Sequence, residues 1–409
     1  MRILFTFENP ASSPEADAEV FLSTARALAA GTNTARLHIP GPELPSGPPA
    51  PFRAWCPARP AILRHLCCGL TLPLRRAFRR AELVYTRNLW VAIVSLRCGR
   101  RVVYDHYRPW PDQIPPLAPV VRRMMSHPRF LLGICHSDYA RRSFLRAGVP
   151  PDRLRVVHNG FDPSRFAHAP DRAAARAALG LPADRPVVLY AGRINHRKGL
   201  ELLVRAAAAV PEASVILVGS YGNGPVEALA AGVPNVRVVP FQADEALIPW
   251  LRAADILVIP PSSAPLERFG TTVLPLKLFL YLAAERAIVA GATPDVRELL
   301  VDGRNAVLCP PDSAEALGAA LRALLDDPSR RDRLAAAAAA LGRDLSWQSR
   351  AARIRALVAE RAEAPPEPAG VAPPLLFWLR RCGRWLGHLA RNRTLVLPPE
   401  RFPPAGTPP

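Results

Sequence analysis

Short apolar runs alternate with amphipathic helical segments along most of this chain, and this alternation restricts the fold more than any other feature of the sequence. The first half carries predicted strands at residues 2–7, 37–39, 83–86, 101–104, 130–135 and 154–157. The second half carries them at residues 187–190, 215–218, 236–239, 256–259, 287–290 and 306–308. Such alternation is typical of parallel sheets with helices on both faces, so the sequence predicts an α/β fold.

The length of 409 residues favours two domains, each with its own core. We place them at residues 1–165 and 166–345, both as doubly wound, Rossmann-like parallel sheets, and the proline-rich stretch 40–60 is predicted to be a loop. A last helix at 346–363 precedes a proline-rich linker and basic amphipathic tail at 364–409. Ligands of open parallel sheets bind beyond the carboxyl ends of the strands, so we expect the site in a cleft between the domains.

A glycine-containing turn at residues 190–199 joins a predicted strand to a predicted helix in the second domain. Free backbone N–H groups at a helix start suit an anion, and Arg193 and Lys198 add two positive charges to this turn. Only two of the 53 basic residues are lysines, Lys198 and Lys277. Lysine is a compact point charge that fits a tight phosphate pocket, so we predict that both line one phosphate site. The alternative is chance in an arginine-rich sequence.

The formal net charge of +19 is unevenly distributed. Residues 1–165 hold 24 basic and 11 acidic side chains (net +13), residues 166–365 hold 23 and 21 (net +2), and residues 366–409 hold 6 and 2 (net +4). Nucleic acid, anionic lipid and acidic substrates would all be attracted, so charge alone does not identify a partner. Residues 62–80 combine leucines with arginines, which fits either a solvated surface helix or a segment lying on anionic lipid.

Seven cysteines show neither a C-x-x-C pair nor a metal-ligand spacing, which favours reduced thiols in a cytosolic protein. Glu8 interrupts the apolar N-terminal run too early for a signal peptide, and no run approaches the roughly 18 apolar residues of a membrane span. Residues 375–386 mix tryptophan, leucine and arginine. We therefore expect a cytoplasmic protein that associates peripherally with the inner face of the membrane.

Six short motifs follow one another from residue 158 onward. They read HNGFDPSRF, AGR with KG, VGSYG, AADILVIP, TPDVREL and DGRN, at residues 158–166, 191–199, 218–222, 253–260, 293–299 and 302–305. In this order they resemble the motifs of the retaining glycosyltransferases of family 4 (glycosyl transferases group 1), which have the GT-B fold. The resemblance implies two Rossmann-like domains facing across a cleft, the first for the acceptor and the second for the nucleotide sugar.

The resemblance also assigns residues to the reaction. Members of this family transfer a sugar from a nucleotide-diphosphate donor without a metal, so cations must hold the leaving diphosphate. Arg193 and Lys198 match these cations and His106 matches the family's cleft histidine, so these three are the catalytic candidates. The substrate-binding candidates are Asn159, Gly192, Gly219, Glu267, Thr271, Thr272, Lys277 and Leu280. Neither a cofactor nor a metal is expected.

Two departures from the family pattern bear on the substrate sites. Leu280 stands where the family has the glutamate that holds the donor ribose, and a leucine cannot accept a hydrogen bond from a hydroxyl group. Either Glu267 takes over this role, or donor affinity is weakened, or catalysis is lost. Residues 9–14 replace the family's glycine-rich loop after the first strand, so a close backbone approach to the substrate is not expected there.

These observations predict a metal-independent hexosyltransferase. It would move a sugar from a UDP- or GDP-sugar, with retention, onto a lipid-linked or polysaccharide acceptor in bacterial envelope glycan synthesis. Its expected partners are the donor, the acceptor and an anionic membrane surface, and no nucleic acid. One alternative is a catalytically degenerate protein of the same fold that binds or scaffolds in a glycan pathway. Another is a nucleotide-sugar epimerase, which would need catalytic carboxylates and histidines that we cannot place in the sequence.

Overall fold

The computed structural model of the chain consists of two compact units. It describes residues 1–11, 16–31, 34–41, 43–57, 60–106, 108–195, 198–222, 224–263, 274–363, 375–392 and 395–397. The first unit comprises Met1–Asn159 and Trp347–Leu397, and the second comprises Gly160–Ser346. Residues 160–165, which we assigned to the first domain, therefore group with the second unit. The helix that follows residue 346 groups with the first unit.

Seven parallel strands form the sheet of the first unit. They are β1 (Ile3–Thr6), β2 (Arg36–Ile39), β3 (Ala50–Arg53), β4 (Leu83–Thr86), β5 (Arg101–His106), β6 (Phe130–Cys135) and β7 (Leu154–Val156). Their order across the sheet is β3-β2-β1-β4-β5-β6-β7. The expectation that residues 40–60 form a loop throughout was wrong at β3. Pro51 lies within this strand, and proline in a sequence argues against a strand. An edge strand accommodates proline, since one side of the strand needs no ladder hydrogen bonds.

Six parallel strands form the sheet of the second unit, at all six predicted places. They are β8 (Val187–Ala191), β9 (Ser214–Ser220), β10 (Val236–Pro240), β11 (Ile256–Ile259), β12 (Ala287–Gly291) and β13 (Val307–Cys309). Their order across the sheet is β10-β9-β8-β11-β12-β13. The predicted α/β class with two parallel sheets is thus confirmed. In each sheet the strand order turns outward in both directions from an early strand, as expected for doubly wound folds.

Helices connect most consecutive strands. In the first unit they are α1 (Ala16–Ala29), α2 (Ala61–Thr71), α3 (Arg76–Arg80), α4 (Leu89–Arg97), α5 (Trp110–Gln113), α6 (Ala118–Met125) and α7 (Asp138–Arg146). The second unit has α8 (Arg172–Ala178), α9 (Leu200–Ala206), α10 (Pro225–Ala231), α11 (Asp244–Ala253), α12 (Leu276–Ala283), α13 (Ala314–Asp326) and α14 (Pro328–Gly342). The chain then returns to the first unit with α15 (Trp347–Glu363) and α16 (Leu375–Asn392). Within the described residues, no helix combines the length and the apolar character that crossing a bilayer requires.

Helix α15 packs on one face of the first sheet. Strand side chains alternate between two hydrophobic clusters: Val84 belongs to one, and Leu83 and Tyr85 belong to the other. Ile354 and Val358 of α15 are buried in the cluster of Leu83 and Tyr85. The last part of the chain therefore completes the core of the first unit.

Arg350, near the start of α15, lies at the centre of a buried polar cluster. Its guanidinium group donates to both carboxylate oxygens of Asp105, at 3.1 and 3.2 Å, and to the carbonyl oxygen of His158 at 2.8 Å. Asp105 also accepts a hydrogen bond from the Tyr85 hydroxyl at 2.6 Å and contacts His136 Nε2 at 2.7 Å. The side chains of Arg350 and Asp105 are 1% and 0% exposed, so water screens this ion pair very little.

The charge of this cluster is carried by the carboxylate and the arginines. Burial alone would raise the pKa of the Asp105 carboxyl, but the guanidinium groups of Arg350 and Arg87 outweigh burial and hold that pKa well below its ordinary value. Burial lowers the pKa of His136 to about 3. The histidine is therefore neutral at neutral pH, and Asp105 stays ionised.

We expect Arg350→Met to destabilise the first unit strongly. The substitution leaves the buried Asp105 carboxylate without its closest guanidinium partner, which typically costs about 3–5 kcal/mol. Arg353→Met, at an exposed position of the same helix, should change the free energy of unfolding by no more than about 0.5 kcal/mol. Urea denaturation followed by circular dichroism measures both. Equal midpoints for the two variants would contradict the proposed role of this ion pair.

Candidate functional site

The loop between β8 and α9 is held against the end of β9 by two glycines. The Gly192 N–H donates to the Val218 carbonyl oxygen at 2.9 Å, and the Ile194 N–H donates to that of Gly219 at 3.1 Å. A Cβ atom on Gly219 would lie 2.3 Å from the Gly192 carbonyl oxygen, and the φ angle of Gly219 is +126°. No side chain fits there. The motifs AGR and VGSYG therefore meet through their main chains.

A third glycine brings the end of the same loop against the segment that follows β11. Gly199 has a φ of +64°, and a Cβ atom there would lie 2.2 Å from Ser262 Cβ. The next residue, Ser263, is fixed by Asp312: its N–H donates to Oδ1 at 3.0 Å and its hydroxyl to Oδ2 at 2.5 Å. The loops that follow β8 and β11 thus converge at the carboxyl edge of the sheet.

Lys277 approaches this loop from α12. Its Nζ lies 3.5 Å from the centroid of the Tyr190 ring, and a Cβ atom built on Gly192 would lie only 2.9 Å from that Nζ. Burial, and then the charge of Lys198, lower the pKa of Lys277 well below its ordinary value. The structure thus brings Lys277 to the loop that carries Arg193 and Lys198.

Two buried tyrosines fix the main chain around this lysine. The Tyr281 hydroxyl, from α12, accepts a hydrogen bond from the Ala191 N–H at 2.7 Å. The Tyr190 hydroxyl donates to the Arg193 carbonyl oxygen at 3.1 Å. The position of the loop is therefore set by side chains from its own strand and from α12.

Two exposed aromatic residues that the sequence analysis missed lie beside Arg193. Tyr221, just after β9, and Phe241, just after β10, stack with ring centroids 5.0 Å apart and an interplanar angle of 22°. The Arg193 guanidinium lies 5.7 Å from the Tyr221 ring centroid. Tyr221 lies within the VGSYG motif, which was the available signal, whereas no motif includes Phe241. Together they form a flat apolar surface next to the cations.

The structure says less about the other substrate-binding candidates of the second unit. Leu280 of α12 is partly buried and packs against the hydrophobic core. Glu267, Thr271 and Thr272 lie outside the described residues, so their predicted roles in substrate binding stay predictions.

Two candidates belong to the first unit. His106, at the end of β5, is 4% exposed and stacks on Trp110 with ring centroids 5.5 Å apart. Burial, with the nearby Arg87 charge, lowers the pKa of His106 well below its ordinary value, so the ring is neutral. Asn159 is buried, and neither atom of its side-chain amide has a hydrogen-bond partner in the described part of the chain. A buried amide without partners is uncommon, and it fits a group that a ligand satisfies.

Glu8, which the sequence analysis treated only as an interruption, follows β1 at the carboxyl edge of the first sheet. It is almost fully buried, and its Oε2 has no hydrogen-bond partner within the described residues. Burial raises the pKa of this carboxyl to about 7. A carboxyl that titrates near neutral pH beside a strand end is a candidate for contact with a substrate hydroxyl group.

The described residues include no group of three or more histidine, cysteine, aspartate or glutamate side chains that could hold a metal ion.

Two family models match the chain. The model described as Glycosyltransferase Family 4 matches residues 18–165, and the model described as Glycosyl transferases group 1 matches residues 171–340. The two matches lie on the first and the second sheet respectively, and between them they span most of the chain.

Curated relatives match over part of the chain. The D-inositol 3-phosphate glycosyltransferase of Streptomyces scabiei is 35% identical over 175 residues, which are 39% of this chain and 37% of the relative. That of Mycobacterium tuberculosis H37Ra is 32% identical over 203 residues, 47% and 40% of the two chains. The matched part thus spans about two fifths of the length of these relatives.

Solved structures resemble this one over nearly its whole length. Sucrose-phosphate synthase from Thermosynechococcus elongatus has a TM-score of 0.68 and 21% identity, covering 88% of this chain and 98% of its own. Anabaena HepE, solved with UDP, has a TM-score of 0.68 and 20% identity, covering 88% and 100%. At these identities the similarity shows the fold alone.

We expect Lys277→Met to stabilise the second unit at neutral pH. Because the folded state lowers the pKa of Lys277, it disfavours the protonated amine that the unfolded chain carries. This unfavourable contribution is complete below the lowered pKa and disappears as the pH rises towards about 10.4. Urea denaturation should therefore show a higher free energy of unfolding for the variant at pH 7, and a smaller gain at pH 9.5.

Arg205→Met is the matched control, because Arg205 is exposed in the same unit and its substitution should leave stability nearly unchanged. Lys198 and Lys277 are the only lysines of the chain, so ¹³C-methyl labelling of its amines can follow the titration of Lys277 directly. An ordinary lysine titration for both residues would contradict the buried environment of Lys277.

Proposed function

The chain belongs to the glycosyl transferases of group 1 and has the GT-B fold, and from this premise we propose that it transfers a hexose from a UDP- or GDP-sugar to a glycan acceptor, with retention. The observation that carries the proposal is the close approach of Lys277 to Gly192, in the loop that also carries Arg193 and Lys198, at the carboxyl edge of the second sheet. Three basic residues in or against one loop suit a diphosphate.

The proposed chemistry uses these cations to hold the leaving group. As the bond to the sugar breaks, negative charge develops on the nucleoside diphosphate, and Arg193 and Lys198 offset it. In the described part of the chain Lys277 has an aromatic partner, Tyr190, and neither an ion pair nor a hydrogen bond. A phosphate oxygen that reaches its amine would favour the protonated form and raise the lowered pKa again.

The base of the donor has a matching surface in this proposal. The stacked pair of Tyr221 and Phe241 is exposed beside Arg193, and an aromatic face binds a nucleobase at about 1–3 kcal/mol per stacked base. HepE, which shares the fold, was solved with UDP, and this favours a uridine donor. On the acceptor side, we assign the hydroxyl-binding role to Glu8 and the sugar-facing role to His106.

A second candidate function is donor binding without catalysis. Leu280, in place of the family's ribose-binding glutamate, favours it, because the side chain packs against the core and offers no acceptor. The two candidates differ in turnover and agree in nucleotide binding, so they can be separated by experiment.

We expect the protein to bind UDP or GDP and to turn over the corresponding nucleotide sugars without added metal. Lys198→Ala should abolish turnover, because the leaving diphosphate loses a cation, and Tyr221→Ala should weaken nucleotide binding by about 1–3 kcal/mol. Arg205→Ala, at an exposed position of α9, is the control and should change neither. Calorimetric titration measures binding, and release of nucleoside diphosphate measures turnover.

Three outcomes decide between the candidates. Binding with turnover supports the transferase, and binding without turnover on a panel of lipid-linked and polysaccharide acceptors supports the second candidate. Unchanged nucleotide affinity in both Lys198→Ala and Tyr221→Ala would place the donor elsewhere.

We also propose that the acceptor is reached at an anionic membrane surface, on the inner face of the cytoplasmic membrane. Residues 44–81 contain seven arginines and no aspartate or glutamate. Among the described residues of this segment, five large apolar side chains are exposed: Leu44, Trp55, Leu63, Leu70 and Leu74. The Arg75 guanidinium stacks over the Trp55 ring at 4.0 Å. Exposed apolar side chains among arginines are typical of surfaces that lie on anionic lipid.

The tail contributes a second basic surface to this proposal. Helix α16 is attached to the first unit through Arg381, whose Nη2 lies 2.7 Å from Asp112 Oδ1. Leu379 and Leu386 of this helix are exposed. The helix thus presents apolar and basic side chains from the same unit as residues 44–81.

We expect the protein to co-sediment with phosphatidylglycerol vesicles at low salt, and less at high salt, because exposed charges are screened. Replacing three exposed arginines of α3 by glutamate should reduce the bound fraction; these are Arg76, Arg79 and Arg80. The matched control replaces three exposed arginines of the second unit in the same way: Arg304, Arg333 and Arg343. Equal loss in both triple variants would mean that total charge, and not this surface, decides binding.

A further inference from the structure

An arginine-lined cavity of about 220 Å³ lies at the amino edge of the first sheet. Arg101 opens β5, Arg129 precedes β6, and Arg153 precedes β7. The fourth arginine, Arg361, comes from the last turn of α15. Four segments that are distant in sequence thus each contribute one arginine to the lining of this cavity.

Two of these guanidinium groups are buried and share one carboxylate. Arg361 lies 2.7 Å and Arg153 lies 3.5 Å from Asp152 Oδ2, and their side chains are 7% and 3% exposed. Arg153 also donates to the Phe130 carbonyl oxygen. Asp152 supplies one negative charge against the four positive charges of the cavity. Arginines at such short range repel one another unless an anion offsets them.

We infer that this cavity binds a phosphate or diphosphate group. The planar guanidinium fork matches phosphate oxygens and can donate two parallel hydrogen bonds to them. Arg101 and Arg129 are exposed, so an anion can reach them from solvent while Arg153 and Arg361 form the floor. The volume of about 220 Å³ accommodates a small phosphorylated group and excludes a folded polyanion.

The site is separate from the proposed donor site. The donor loop follows β8 at the carboxyl edge of the second sheet, whereas this cavity lies at the amino edge of the first sheet. Its effect is on α15: Arg350 anchors the start of that helix to Asp105, and Arg361 anchors its last turn to Asp152. An anion bound by Arg361, Arg101 and Arg129 therefore strengthens the second anchor and stabilises the first unit as it binds.

Titration with inorganic pyrophosphate tests the inference in the full-length Arg193→Ala/Lys198→Ala variant, which removes two cations of the donor loop. At constant ionic strength, calorimetry should show saturable binding and thermal unfolding should show a raised Tm. Adding Arg101→Gln and Arg129→Gln should weaken this binding at least tenfold, because two charge-assisted partners are lost. Both residues are exposed, so the fold should tolerate the change.

The matched control removes the same charge from two exposed positions of the same unit that do not line the cavity, Arg26→Gln and Arg123→Gln. It should bind pyrophosphate like its parent. Equal weakening in both double variants, or no saturable binding in the parent, would overturn the inference. Because the donor loop is disabled throughout, failure of the proposed transferase function does not affect the result.

The phosphate group can come from a free anion or from a lipid headgroup, and a vesicle experiment separates these sources. If Arg101→Gln/Arg129→Gln lowers pyrophosphate affinity and leaves sedimentation with phosphatidylglycerol vesicles unchanged, the site takes a free anion. If sedimentation falls as well, relative to Arg26→Gln/Arg123→Gln, the site takes a lipid phosphate.

Discussion

The buried ion pair between Asp105 and Arg350 makes the first unit depend on two parts of the chain that are far apart in sequence. Asp105 lies in β5, and Arg350 follows 245 residues later, after the second unit is complete. Burying either charge alone would cost several kcal/mol, so each residue is tolerated because the other is present. Helix α15 then buries Ile354 and Val358 against the sheet, and Arg361 in its last turn lies beside Asp152. The helix is thus held by charge at both ends and by apolar contact between them.

In the second unit the candidate site is positioned by glycines, which have no side chain to separate the loops. Gly192 and Gly219 touch through their main chains, and Gly199 touches Ser262. These contacts let the loops after β8, β9 and β11 approach one another more closely than any larger residue would allow. The cations and the aromatic pair of Tyr221 and Phe241 are consequently presented at one edge of the sheet, where parallel sheets bind their ligands.

Several groups at these edges are unfavourable for stability, and this supports the proposal that they serve a function. Lys277 holds an amine whose pKa is lowered by burial, Glu8 holds a carboxyl whose pKa is raised by burial to about 7, and Asn159 holds a buried amide without partners among the described residues. A core built for stability alone would place apolar side chains at such positions. A ligand with phosphate and hydroxyl groups would satisfy each of them, so they agree with the proposed transferase activity.

The sequence by itself determined the local features: six of the seven strands of the first sheet, all six of the second, and the order of the glycine motifs. Apolar periodicity and turn residues act between near neighbours, so they can be recognised without a structure. Strand β3 was not predicted, because proline is tolerated in a strand only at the edge of a sheet. Whether a strand lies at an edge is decided by the tertiary structure. The rarity of lysine in the sequence indicated Lys277 as a candidate for phosphate binding, but only the fold shows that its Nζ lies against the Tyr190 ring. The same holds for the arginine cavity and for the buried Asp105 cluster, because burial and charge pairing depend on distances between residues that the chain brings together only when it folds.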